Sequence, residues 1–225
     1  MLHRVDTPLP ISTSNRYVSI TNDHTDNWSG YAPNLQGASH KVNETYGYFT
    51  VSLLKTYGPD TATWIGVGGL NTDETKIVQA GVDVSMFDAW YEYYPNAPKY
   101  IYGVDPGDTM YVDVWYDQGT NEWDTFFMDD TLGTYSSASA FFNADQTSAD
   151  YINEVQYASP YNVPSINTIT FSSSYWVDNN GARQALNSNE AATLDKVYLD
   201  QSRSSGRLCP SGLFSAGDGF TISNC

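Results

Sequence analysis

Three short runs within residues 64–95 restrict the possible fold more than any other part of the chain. They read Trp64-Ile-Gly-Val-Gly-Gly69, Ile77-Val-Gln79-Ala-Gly-Val-Asp83 and Asp88-Ala-Trp90-Tyr-Glu92-Tyr-Tyr-Pro95. Successive side chains in a strand point to opposite faces, so each run reads as a strand with two unlike faces. Ile65 and Val67, then Val78, Ala80 and Val82, make an apolar face. The opposite face carries Trp64, Gly66 and Gly68, then Gln79, Gly81 and Asp83, then Asp88, Trp90, Glu92 and Tyr94. Indoles, carboxyls and an amide set among glycines are the lining of a groove, because the glycines leave room for another molecule to approach.

The rest of the chain repeats the strand signal. Helical periodicity is nearly absent, and Tyr/Val/Thr/Phe/Trp-rich runs alternate with Gly, Pro, Asn and Asp clusters, the all-β pattern. Strands are expected at 46–54, 63–67, 76–82, 89–94, 109–116, 122–127, 151–157, 165–171 and 196–199. Within the fifth of these, Met110, Val112, Val114 and Tyr116 should point inward. Residues 136–150 read as a loop with a strand inside it, and residues 187–193 as room for one helical turn. With no repeat, linker or change of composition, residues 1–225 form a single domain. A sandwich of two sheets is the natural way to bury so many half-apolar strands.

Charge narrows the partners. The chain has 26 acidic and 10 basic residues, a net charge of −16, which argues against nucleic acid or anionic membrane as a partner. Such acidity serves solubility, or suits life near the sequence pI of about 4.2, where the surface stops repelling itself. No stretch approaches the ~20 apolar residues of a membrane span. Residues 1–6 lack the apolar core of a signal peptide. Cys209 and Cys225 suit a disulfide closing a C-terminal loop, and with few Lys and many Tyr, Asn, Ser and Thr this fits a secreted monomer. Asn27-Trp-Ser29 and Asn43-Glu-Thr45 match the glycosylation pattern.

Elimination narrows the chemistry. His3, His24 and His40 all fall in the first 40 residues, and no HExxH helix, GxSxG elbow or phosphate-cradling glycine loop is present. Neither an Asp-Thr-Gly pair nor EF-hand spacing occurs, so no metal or cofactor is expected. Carboxyl and amide chemistry remains. A further strand places Asp150, Glu154 and Gln156 on one face, with Ile152 between them. On an ordinary sheet Glu154 would be an exposed edge carboxylate and Gln79 a solvated amide.

Five segments together resemble the glutamic peptidase (eqolisin) family. They are Asn27-Trp-Ser-Gly-Tyr-Ala32, Trp64-Ile-Gly-Val-Gly-Gly69, Ile77-Val-Gln-Ala-Gly-Val-Asp83, Ala89-Trp-Tyr-Glu-Tyr-Tyr-Pro95 and Ala149-Asp-Tyr-Ile-Asn-Glu154, and the resemblance spans roughly residues 27–180. It implies a lectin-like (concanavalin A-like) β-sandwich of two antiparallel sheets, with a substrate groove across the concave one. It also implies an acid endopeptidase that cleaves polypeptides outside the cell, with Gln79 and Glu154 as the catalytic pair. Glu154 would take a proton from the attacking water, and Gln79 would stabilise the oxyanion. A carboxyl base near its ordinary pKa suits catalysis at about pH 3–4. Trp64, Asp83, Asp88, Trp90 and Glu92 match positions that support the pair or contact substrate. Two positions depart from the pattern and mark a divergent branch, expected to be a prokaryotic one. Gly68 stands where fungal members carry Asp, and Asn153 where they carry an apolar residue. A carbohydrate-binding module, or a glycosidase using Glu92 and Glu154, are the competing readings of such a groove.

Overall fold

The computed structural model describes residues 18–25, 27–55, 60–71, 75–155, 163–199 and 207–225. Every helix or strand element among them is a strand. In chain order these are β1 (Ile20–Thr25), β2 (Trp28–Asn34), β3 (Val42–Thr50), β4 (Thr61–Val67), β5 (Ile77–Asp83), β6 (Asp88–Tyr94), β7 (Lys99–Gly103) and β8 (Thr109–Asp117). They continue with β9 (Glu122–Asp129), β10 (Thr134–Ala140), β11 (Ala149–Val155), β12 (Ile169–Asp178), β13 (Arg183–Ala185), β14 (Thr193–Leu199), β15 (Leu208–Pro210) and β16 (Phe220–Asn224).

Hydrogen-bonded neighbours follow the order β10-β9-β8-β3-β12-β16-β15-β14-β2-β11-β4-β5-β6-β7, with β1 beside β14 and β13 beside β12. Pairing is antiparallel except for β1 with β14, which run parallel. β3 packs on β4, β8 on β4 and β5, β9 on β5, and β11 on β3 and β12, which makes the two layers of a β-sandwich. The layers are not separate sheets. β16 pairs with β12 and β15 with β14, so the β15–β16 pair carries the ladder from one layer to the other. A disulfide between Cys209 and Cys225 ties that bridge together. By loop-closure entropy it contributes about 3 kcal/mol.

Period-two alternation builds the core. Ile65, Val67, Val78, Ala80, Val82 and Ala89 face Phe49, Met110, Val112, Val114 and Phe127 between the layers. Tyr116, expected inward with Met110, Val112 and Val114, packs half-buried at the margin. Tyr151, wholly buried, accepts a hydrogen bond from Thr45 Oγ1 at 2.8 Å and donates to the Tyr175 carbonyl at 2.6 Å, so its hydroxyl costs little to bury.

The chain departs from expectation where polar side chains bend the backbone. Residues 187–193 make turns and no helix. Ser188 Oγ donates to Gln184 Oε1 at 2.7 Å and accepts from the Glu190 amide, local bonds that compete with a helical turn. β12 begins later than expected and runs on through Ser172-Ser-Ser174, where the register shifts against β3 and Ser173 takes a φ of 47°. Of the expected positions, His3, Gln156 and Tyr157 lie outside the described residues.

Candidate active site

The side of β4, β5, β6 and β11 that faces away from the core carries three rungs of side chains. Asp150, Gly66, Gln79 and Glu92 share the first rung, Ile152, Trp64, Gly81 and Trp90 the second, and Glu154, Ala62, Asp83 and Asp88 the third. Ala62, Trp64, Trp90 and Ile152, with Trp28 against them, form an apolar cluster distinct from the main core. The glycines are a packing requirement. A Cβ on Gly66 would lie 2.8 Å from Gln79 Cβ, and one on Gly81 would lie 2.6 Å from Trp64 Cβ. The same face therefore holds an indole floor with carboxyl and amide groups on either side of it.

Glu154 is held from β4 and from the residue that precedes β2. Trp64 Nε1 donates to Glu154 Oε2 at 3.0 Å, and Asn27 Nδ2 donates to Oε1 at 3.2 Å. Burial pushes the Glu154 carboxyl above the usual carboxylate range, while the donors Trp64, Trp28 and Asn27 pull the other way. Gln79 is 5% exposed, and its Nε2 donates to Glu92 Oε2 at 2.6 Å. Glu92 is also raised, first by burial, against the Gln79 hydrogen bond, and then by the negative charge of Glu154. Two atoms on adjacent rungs are buried without a hydrogen-bond partner among the described residues: Gln79 Oε1, an acceptor, and Trp90 Nε1, a donor.

The sequence-derived positions thus divide into groups. Gln79, Glu92, Trp64, Trp90 and Glu154 come together on one face. Gln79 and Glu154 make no direct hydrogen bond, because Glu154 pairs through Ala62 with Asp83, further along β5 from Gln79. Glu92, on the far side of Gln79 from Glu154 in the strand order, is bonded to Gln79 and feels the charge of Glu154. Asp83 belongs to the turn between β5 and β6. Its Oδ1 accepts from the Ser85 amide at 2.9 Å, from Ser85 Oγ at 2.6 Å and from the Met86 amide, and its Oδ2 accepts from Tyr100 OH at 3.4 Å. Asp88 sits opposite Asp83 in register, half-buried at the end of the face.

Both departures from the family pattern have a physical reason. Gly68 has a φ of +87°, and a Cβ there would lie 2.3 Å from the Asp145 carbonyl oxygen, so the backbone here requires glycine. Asn153 points away from Glu154 into the interior, where its Oδ1 accepts from Thr63 Oγ1 at 3.1 Å. Asn27 and Trp28 are the neighbours of Glu154 that strand-face reasoning did not assign. Their signal was the Asn27–Ala32 segment, and β2 places Trp28 directly opposite Glu154. The Asn27 nitrogen to which a glycan would attach is engaged by the Glu154 carboxyl. Among the described residues no group of three or more His, Cys, Asp or Glu could hold a metal ion.

Residues 26–222 match the family model described as Peptidase A4. The chain belongs to the Peptidase A4 family. Solved structures agree on the fold. One is scytalido-glutamic peptidase with a peptide-based transition-state analogue, at a TM-score of 0.65 and 18% identity, covering 89% of this chain and 98% of that one. Another is aspergilloglutamic peptidase from Aspergillus niger, at a TM-score of 0.57 and 21% identity, covering 75% and 100% respectively. A third is SCP-B, a member of the eqolisin family in complex with a tripeptide, at a TM-score of 0.56 and 18% identity, covering 88% and 97%. Among curated proteins, none matches the chain by sequence. Membership of the Peptidase A4 family supports a peptide hydrolase acting on polypeptides.

Proposed function

We propose that the chain is an acid endopeptidase, secreted and monomeric, in which Glu154 and Gln79 carry the reaction. Glu154, ionised, takes one proton from a water whose oxygen bonds to the scissile carbonyl carbon. Gln79 has a second N–H beyond the one given to Glu92, and this donates to the oxygen that becomes negative. The carbon–nitrogen bond then breaks as Glu154 returns the proton to the leaving amine. The indole floor excludes water from the reacting face and strengthens these hydrogen bonds.

The observation that carries this reading is the buried, unmatched pair on adjacent rungs. Gln79 Oε1 needs a donor and Trp90 Nε1 needs an acceptor. A peptide group or a bound water supplies both, and buried polar groups in folded proteins generally have some such partner. A glycosidase would use Glu92 and Glu154 but has no use for an amide anchored to one of them.

The test is digestion of a denatured protein in acid by the wild type, Glu154→Ala and Gln79→Ala, with a pepstatin-type inhibitor as control. Cleavage that resists the inhibitor and disappears in both folded variants supports the dyad. Cleavage retained in either variant rules it out.

A further inference from the structure

The outer face of the other layer, on the side of the sandwich away from Gln79 and Glu154, carries a stripe of aromatic rings. Pairing among β12, β3, β8, β9 and β10 puts Tyr175, Tyr46, Asp113, Phe126 and Ser137 on one rung, and Ser172, Tyr48, Tyr111, Met128 and Tyr135 on the next. Phe49, Met110, Val112 and Phe127 on the same strands point the other way, into the core. Ring centroids follow one another at 5.8 Å from Tyr175 to Tyr46, 6.5 Å to Tyr111, 6.2 Å to Phe126 and 5.9 Å to Tyr135. Tyr48 packs on Tyr111 at 4.9 Å. The stripe crosses five strands, roughly 19 Å at ordinary strand spacing.

These six rings lie outside the core, and each keeps part of its surface in solvent, Tyr135 as much as 69% of it. A continuous run of exposed rings marks a binding surface, and ring-on-ring contact fixes the side chains before anything binds. Polar groups are set between the rings and not around them. Asp113 lies between Tyr46 and Phe126 on its rung, with Tyr111 OH donating to its Oδ2 at 3.4 Å, and Tyr175 OH donates to Asp218 Oδ2 at 2.9 Å. This pattern selects the occupant. A protein interface has an apolar centre and a polar rim, so a protein docked flat here would bury the Asp113 carboxylate against apolar surface. A second copy brings another −16 of charge, and an anionic polymer meets the same repulsion. An uncharged polysaccharide satisfies both kinds of group. The C–H faces of its pyranose rings lie on the aromatic rings, and its hydroxyls donate to the carboxylates between them. The interval from ring to ring is comparable to the length of one pyranose unit.

We propose that the aromatic stripe across β12, β3, β8, β9 and β10 is a second binding site, which takes an extended, uncharged, β-linked polysaccharide chain. Arg183, its guanidinium over the Tyr175 ring at 4.7 Å, closes one end of the stripe. Tyr135 sits on β10, the outermost strand of this layer, so the other end is open for the chain to run on. The site binds without breaking a bond, and it stands whether or not Glu154 and Gln79 carry the hydrolysis. Held this way on insoluble material, the protein keeps its opposite face free for peptides.

The experiment is native affinity electrophoresis of the full chain, Tyr111→Ala and Tyr135→Ala. The gels contain hydroxyethyl cellulose or glucomannan, both uncharged and β-linked, or the cationic glycol chitosan, beside a plain gel. At least one uncharged polysaccharide should retard the wild type. Each variant should bind it about tenfold more weakly, the worth of one ring face. Tyr135 is exposed, so its variant keeps the test open if Tyr111→Ala does not fold, and melting curves show which variants are folded. Free migration of the wild type through both uncharged gels overturns the proposal, as does retardation that the folded variants retain in full. Retardation by glycol chitosan alone, removed by salt, assigns the face to cations and also overturns it. A wild-type dimer in sedimentation at pH 5 that Tyr135→Ala splits makes the stripe an interface between copies, a third way for the proposal to fail.

Discussion

The Gln79 amide nitrogen lies 2.6 Å from Glu92 Oε2, and this contact fixes which end of the amide faces which way. An ionised carboxylate only accepts, so the NH₂ end must turn toward Glu92 and the oxygen must turn away. In the proposed reaction Glu92 thereby positions Gln79 without needing to touch the scissile bond. Glu92→Ala should release the amide to rotate and lower kcat by about ten- to a hundredfold, the worth of one hydrogen bond to a charged group. Steady-state kinetics of the folded variant checks this. A change confined to KM would make Glu92 a substrate contact instead.

On the proposed dyad, the pH dependence of activity follows from Glu154. Burial raises its carboxyl above the ordinary 4.5. The proposed base works only when ionised, so the acid limb of kcat/KM should climb as pH rises through this raised value. The acid limb then lies above about pH 4.5, higher than a surface-like Glu would give and above the pH 3–4 range expected of an unperturbed base. Asn27→Ala removes a donor that favours the charged form, so its acid limb should move further up. A pH–rate profile of the two proteins decides it, and an unmoved limb would mean another group titrates there.

Stability has its own pH dependence, set on the far side of the sandwich by Asp129, which lies beside Asp108. Both are buried, and Asp129 Oδ1 accepts from the Thr131 amide at 2.9 Å and the Leu132 amide at 3.0 Å. Burial raises the Asp129 carboxyl. The Leu132 amide lowers it, the charge and hydrogen bond of Asp108 raise it, and the Thr131 amide lowers it again. The Tyr102 hydroxyl faces the same carboxyl. A raised carboxyl contributes stability that is fully present below its unfolded value and is lost as pH rises through the folded one. Asp129→Asn keeps the two amide contacts and replaces the charge with a donor toward Asp108. Its melting temperature should exceed the wild type's at pH 7 by about 2–4 °C, and the difference should vanish near pH 3. Equal shifts at both pH values would mean that Asp129 does not titrate in this range.

How far the sequence revealed this protein depends on which force placed each residue. The faces of β4, β5 and β6 were legible because period-two alternation is a steric consequence of the strand itself, and it put Gln79, Glu92, Trp64 and Trp90 on one surface. Asp83 carried the same alternation, yet three donors in the following turn claim its carboxylate, and turn capping depends on how the backbone bends after the strand ends. Asn27 reaches Glu154 only through the pairing of β2 with β11, strands far apart in the chain. The link between the layers was invisible for the same reason, since β15 has only three residues and no alternation to read. Short-range patterns predicted faces, while long-range pairing decided neighbours.

Gly68 gives the sharpest test of whether a family residue can be restored by substitution alone. The resembling fungal pattern has Asp there, and a carboxyl beside Gln79 would be a natural partner for its amide. The backbone forbids it. Gly68 is left-handed at φ +87°, its amide donates to the Ser148 carbonyl at 3.1 Å, and any Cβ would meet the Asp145 and Lys76 carbonyl oxygens at 2.3 and 2.9 Å. Asp145, whose carboxylate accepts from the Thr75 and Lys76 amides at 3.0 Å each, holds the facing segment in place. Gly68→Asp should therefore destabilise the fold by about 1–3 kcal/mol, the range for a strained left-handed residue, and should not raise kcat. Urea unfolding and a rate measurement on the same preparation separate the two effects. A stable Gly68→Asp protein with higher kcat would mean that the 145 segment yields and that the missing carboxyl limits the reaction.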